Sequence, residues 1–180
     1  MVYLFLADGF EIIEALAPVD MLTRAKIDVK TVGVTGELVE SSCGVKVKAD
    51  ILLEDFDFYD VDGIILPGGM PGTLNLENNA DVQRAIDNAE NIGALICAIC
   101  AAPSVLGHKG LLNGVEATCF PGFENALEGA ELSDKYVVRD GNIITARGAG
   151  VCIEFGLEIV KALKGEALAN EIRSSIQCDD

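Results

Sequence analysis

Ile92-Gly-Ala-Leu-Ile-Cys-Ala-Ile-Cys100-Ala-Ala-Pro103 carries an apolar run straight into a residue that suits the first turn of a helix. Residues 92–99 hold no polar side chain, as a strand covered on both faces requires. The small residues Ala101 and Ala102 then permit a tight turn, and Pro103 fits an opening helical position. Strand, sharp turn and helix follow in that order, and the alternation recurs on both sides. Val2 to Ala7 reads as a strand. Asp8 is placed to cap a helix running to about Ala25, with Glu11 at capping-box spacing. Val29 to Val34 reads as a second strand, and residues 37–39 and 45–47 as a hairpin around Ser41-Ser-Cys-Gly44. Gly63 to Leu66 is a buried strand ending at Pro67-Gly-Gly69. Asp81 to Ala89 and Ala102 to about His108 are helical; Gly150 to Leu163 and Glu166 to Arg173 are closing helices. Between them, Lys135 to Arg139 and Asn142 to Ala146 form a hairpin turning at Asp140-Gly141. This order predicts an α/β fold, a mostly parallel sheet with helices on both faces. At roughly 150 residues per domain, 180 residues are expected to form a single domain over 1–180, and no internal repeat argues otherwise. Such sheets bind ligands at the C-terminal strand ends, near the point where strand order reverses. Attention therefore goes to the residues just after Ala7, Leu66, Ile99, Cys119 and Ala146.

Thirteen basic residues against 29 acidic ones give a net charge of −16. That disfavours nucleic acid and anionic membranes, which attract clustered Lys and Arg. Half the residues are apolar and 23% are charged, the balance of a globular chain. No apolar run approaches the roughly 18 residues of a membrane span. The opening residues lack a basic region and turn acidic at Asp8, so they read as a strand rather than a leader. With six cysteines and that start, a reducing cytoplasm and free thiols are expected.

Cys100 is the first candidate for chemistry. A thiol at a strand-to-helix turn has the layout of a nucleophile elbow. Backbone N–H groups and the helix N-terminus are expected to lower its pKa, and the thiolate is the reactive form. The competing reading is a buried, inert cysteine. Glu14 is the second candidate. Its helical neighbours are Phe10, Ala17, Pro18 and Met21, an apolar stripe that turns it inward. A buried carboxyl has a raised pKa and can donate a hydrogen bond to a thiolate or act as general acid/base; a glutamate reaching solvent past a kink at Pro18 is the alternative. Gly68-Gly69 follows a strand, so its N–H groups lie at the ligand end of the sheet, and two glycines let backbone approach a reacting atom closely. A plain tight turn would look the same.

The inventory excludes several chemistries. The one histidine, His108, lies eight residues beyond Cys100 and cannot readily reach back, so a Cys-His or Ser-His-Asp triad within the chain is disfavoured. Cys97-Ala-Ile-Cys100 matches C-x-x-C, but Cys97 lies within the strand. Three extended residues span about 10 Å, beyond the roughly 7 Å Cα separation a disulfide tolerates. Cys43, Cys119 and Cys152 are scattered, so no metal site is expected. Arg147-Gly-Ala-Gly150 carries no nucleotide-binding pattern and reads as a glycine-rich strand-to-helix turn.

Together, Ala7-Asp-Gly-Phe-Glu-Ile-Ile-Glu14-Ala-Leu-Ala-Pro-Val-Asp20, Leu66-Pro-Gly-Gly69, Ala98-Ile-Cys100-Ala-Ala-Pro103 and Thr145-Ala-Arg-Gly-Ala-Gly150 resemble the ThiJ/PfpI superfamily. The likeness is strongest to its ThiJ branch, which includes the Parkinson's-disease-associated protein deglycase. It implies a flavodoxin-like domain and a homodimer with the site near the interface. Cys100 would be the oxidation-prone nucleophile and Glu14 its protonated partner, with the N–H groups of Gly69 and Ala101 stabilising the anion. The implied activities are cofactor-free conversion of 2-oxoaldehydes, deglycation, and redox-sensing or chaperone roles, with small reactive aldehydes or peroxide as reactants. Proteases of the superfamily carry His directly after the cysteine; here that residue is Ala101, which disfavours proteolysis. Glyoxalases of the branch carry a histidine at the position matched by Phe120, so their proton shuttle is missing here. Cys119 beside it is a further thiol expected near the site.

Overall fold

The computed structural model describes residues 1–178. In chain order the strands are β1 (Val2–Leu6), β2 (Val29–Gly33), β3 (Leu38–Glu40), β4 (Lys46–Lys48), β5 (Ile51–Leu52), β6 (Gly63–Leu66), β7 (Leu95–Ile99), β8 (Glu116–Ala117), β9 (Glu131–Leu132), β10 (Val137–Asp140) and β11 (Ile143–Ala146). The α-helices are α1 (Ile12–Arg24), α2 (Gly72–Glu77), α3 (Ala80–Ile92), α4 (Pro103–His108), α5 (Cys152–Lys164) and α6 (Glu166–Ser175). Seven strands form the main sheet in the order β10-β11-β7-β6-β1-β2-β5. All its pairings are parallel except β10 with β11. The expected α/β architecture is present. None of the described helices is long and apolar enough to cross a membrane.

Alternation along each strand divides the core in two. Val2, Leu4 and Leu6 of β1 face one side with Cys97 and Ile99 of β7; α1, α5 and α6 cover them through Leu22, Phe155 and Ile172. Tyr3 and Phe5 face the other side with Ile96 and Ala98, under Val82 and Ile86 of α3 and Val105 of α4. The central strands are apolar on both faces because both faces are roofed. Strand order reverses between β1 and β6. The opening of α1 and the turn after β6 therefore meet over the C-terminal strand ends, where the Glu11 N–H donates to the Gly68 carbonyl at 2.9 Å.

Several boundaries differ from the sequence reading. Glu11, not Asp8, caps α1: its carboxylate accepts from the Glu14 N–H at 2.8 Å. Asp8 instead accepts from the Glu40 N–H and ties the turn after β1 to β3. Ile92 closes α3 rather than opening β7, because Gly93 turns left-handed (φ 69°) and ends the helix. The hairpin loop between β10 and β11 is Gly141-Asn142, since Asp140 already pairs with Ile143. Helix α2 was absent from the sequence reading.

Candidate active site

Strand β7 delivers Cys100 to the sheet's C-terminal edge. Its N–H donates to the Ala146 carbonyl at 2.9 Å, and its carbonyl accepts from the Phe120 N–H at 2.8 Å. With both backbone groups held, Cys100 sits at φ 65°, a left-handed conformation that costs a non-glycine residue on the order of 1 kcal/mol or more. The elbow geometry expected from sequence is present, and the thiol is half-buried rather than sealed.

Glu14, only 1% exposed, comes from the first turn of α1. Its Oε2 accepts from the Gly68 N–H at 3.0 Å, and its carboxyl stands beside the Cys100 thiol, close enough that each shifts the other's ionisation. Gly68 explains how the two approach. A Cβ there would stand 2.5 Å from Glu14 Oε2 and 2.6 Å from the Cys100 Cβ, so only glycine leaves the space. Gly69 is held differently: φ is +90°, and a Cβ would meet the Glu11 nitrogen at 2.4 Å. The Gly69 and Ala101 N–H groups both face the sulfur and favour its charged form. The two glycines thus divide the work, one N–H for the carboxyl and one for the thiol.

Burial pushes the Glu14 carboxyl up to about 7, against the opposing pull of the Cys100, Gly68 and Ala149 hydrogen bonds. Cys100 moves the opposite way from the expectation. Burial, then the charge and hydrogen bond of an ionised Glu14, push the thiol up to about 12 despite the two N–H groups. The expectation took Glu14 as neutral; once it ionises, it holds the proton on sulfur. The two groups therefore titrate as a pair.

Strand β11 and the turn behind it close the site. A Cβ on Gly148 would meet the Phe120 ring at 3.2 Å and Glu14 Oε1 at 3.7 Å. The Phe120 ring lies there over an open groove of about 470 Å³, lined also by Tyr136, Arg147 and Val151. Cys119 lines a different depression, with Glu124, Asp134 and Arg147. Cys97 is buried within β7, where burial raises its thiol. His108 ends α4 and pairs with Glu77, away from the thiol.

Residues 1–162 match the DJ-1/PfpI family. The chain belongs to this family. Among its relatives, Protein DJ-1 homologs A and B of Arabidopsis thaliana are each 37% identical, over 94% and 92% of this chain. This chain spans only 44% and 39% of the length of those two proteins. A Caenorhabditis elegans protein named glutathione-independent glyoxalase DJR-1.2 is 32% identical over 90% of this chain and 87% of its own. Oxidised Toxoplasma gondii DJ-1 superposes with a TM-score of 0.93 at 33% identity, over 98% of this chain and 97% of that one. The residue patterns pointed to Cys100, Glu14 and Gly68-Gly69, and the family resemblance added Ala101; the structure brings Gly69, Ala101 and Glu14 around the Cys100 thiol. The sequence reading missed Gly68 as the carboxyl's donor, and Gly148 and Ala149 as the wall behind it. The only sequence signal for that wall was the glycine-rich turn Arg147-Gly-Ala-Gly150.

Proposed function

We propose that Cys100 is the reactive, oxidation-sensitive thiol of this chain, that Glu14 is its proton partner, and that the pair serves protection against peroxide or reactive carbonyls. One observation carries this reading: a carboxyl raised to about 7 by burial faces a thiol at a strand-to-helix elbow, with separate N–H donors for each. The pair releases its first proton near neutrality. The proton that remains is shared between oxygen and sulfur; when it is on Glu14, the sulfur is a thiolate facing Gly69 and Ala101. That thiolate attacks a peroxide oxygen. The S–O bond forms, the O–O bond breaks, and the leaving oxygen takes the proton from Glu14. The product is a sulfenic acid, and a second equivalent gives the sulfinic acid. No turnover is needed: an oxidised Cys100 that alters the surface of a cytoplasmic homodimer is a sensor or chaperone switch. Intact mass after mild peroxide tests this. A mass change that requires Cys100 is expected, oxygen gained or two hydrogens lost to a disulfide, and it is absent from Cys100→Ala; no change, or an equal change in both, contradicts it.

The name of the C. elegans relative favours a second, enzymatic reading. The thiolate adds to the aldehyde carbon of a small 2-oxoaldehyde, giving a hemithioacetal. Glu14 then moves a proton between the two carbons, and water releases the 2-hydroxy acid and the thiol. Phe120 offers no second proton carrier, so turnover is expected to be slow. Lactate formed from methylglyoxal measures it; turnover that survives Cys100→Ser unchanged rejects the mechanism.

A further inference from the structure

Cys152 is a buried thiol that the chemistry above leaves unused. It opens α5, is 4% exposed, and belongs to the core cluster against which Cys100 packs. Helices α1 and α5 each follow a strand of the parallel part of the sheet and run side by side in one direction. Gly156 marks their register: a Cβ there would stand 3.1 Å from the Pro18 Cα and 2.8 Å from the Met21 Cγ. One turn earlier on each helix, four residues back, come Cys152 and Glu14. The Ala149 N–H, three residues before Cys152, already faces the Glu14 carboxylate. Ionisation of Cys152 is opposed first by burial and then by the charges of Glu14, Glu11 and Cys100, so its sulfur shares the field of the same pair.

We propose that Cys152 is the resolving thiol of Cys100, closing an intramolecular disulfide after peroxide has oxidised Cys100 to the sulfenic acid. The inference rests on Cys100 being the peroxide-sensitive thiol. In the first step peroxide is reduced and the Cys100 sulfur gains a hydroxyl. In the second, the Cys152 sulfur attacks Cys100; the S–S bond forms, the S–O bond breaks and the hydroxyl leaves as water. Glu14, left ionised by the first step, takes the proton from Cys152 and passes it to the departing hydroxyl. Bond closure needs the Cα atoms within about 7 Å. Cys152 follows the turn Gly148-Ala-Gly150, so closure requires this short segment to carry it toward Cys100. Disulfide formation spares Cys100 the irreversible sulfinic acid and leaves a product that a thiol reductant restores.

Peptide mapping without reductant, after one equivalent of hydrogen peroxide, decides the matter. In wild type the dominant oxidised species is two hydrogens lighter, links the peptides bearing Cys100 and Cys152, and reverts with dithiothreitol. Cys152→Ala and Cys152→Ser lose the link and accumulate several-fold more sulfinic acid at Cys100; the wild-type map stands alone if either variant fails to fold. Oxygen gained at Cys100 with no link, or a link from Cys100 to another cysteine, overturns the role of Cys152 while leaving Cys100 as the sensitive thiol. A Cys100 that peroxide leaves untouched overturns both.

Discussion

Glu14 is a carboxyl whose neutral form the folded chain prefers. Burial raises it from 4.5 to about 7, so between those values the native state keeps a proton that the unfolded chain has released. Stability therefore falls as pH rises through that window, by about 3 kcal/mol in all; below 4.5 both states are protonated and the penalty is absent. Glu14→Gln is neutral throughout. It is expected to be more stable than wild type above about pH 7 and to lose that advantage as pH falls toward 4.5, as urea unfolding across pH would show. A stability difference independent of pH would contradict the raised carboxyl. The inward orientation of Glu14 was legible in the stripe of Phe10, Pro18 and Met21. The upward shift of Cys100 was not, because it comes first from the burial of the thiol and then from the ionisation of a residue 86 positions away in the chain, and only the packed site settles both.

The turn after β6 governs how closely thiol and carboxyl approach. In Gly68→Ala the added Cβ meets Glu14 Oε2 and the Cys100 Cβ at distances no unstrained methyl occupies, so one of the two must move. Overpacking of this kind costs on the order of 1–3 kcal/mol. The alkylation rate of Cys100 at neutral pH is expected to fall about tenfold or more, the equivalent of about 1.4 kcal/mol. A Gly68→Ala protein with wild-type stability and wild-type Cys100 reactivity would show that the close approach has no consequence. Most elements could be read from their apolar patterns; the strand order, and with it the reversal between β1 and β6 that locates the site, is set by pairings far apart in the chain and was not. Ile92 could not. A continuous apolar run carries no period to separate a helix end from a strand start, and the deciding signal is the left-handed Gly93. Helix α2 was missed because it opens on glycine and spans only Gly72–Glu77, with little periodicity to detect.

At the scale of the molecule, apolar side chains at Ile13, Leu38 and Val45 stay about half exposed. Ile13 lies on α1; the other two belong to the β3–β4 hairpin, which the Phe10–Ser41 bridge fastens to the start of α1. Two copies meeting over this face would bring α1, and with it Glu14, close to the interface. Sedimentation is expected to give a dimer that Ile13→Lys shifts toward monomer. Each copy carries a charge of −16, so added salt should tighten the association by screening repulsion. A wild-type monomer at micromolar concentration, unchanged by salt, would contradict the dimer. Whatever the assembly, reactivity comes down to one proton shared by Glu14 and Cys100. The rate of Cys100 alkylation by neutral iodoacetamide, followed across pH by peptide mass, measures that sharing. A coupled pair gives a wild-type rate that rises through about pH 7 to a plateau, a step that Glu14→Gln abolishes. A single alkaline rise with no step near 7, or the same step in Glu14→Gln, would show that the two groups ionise independently.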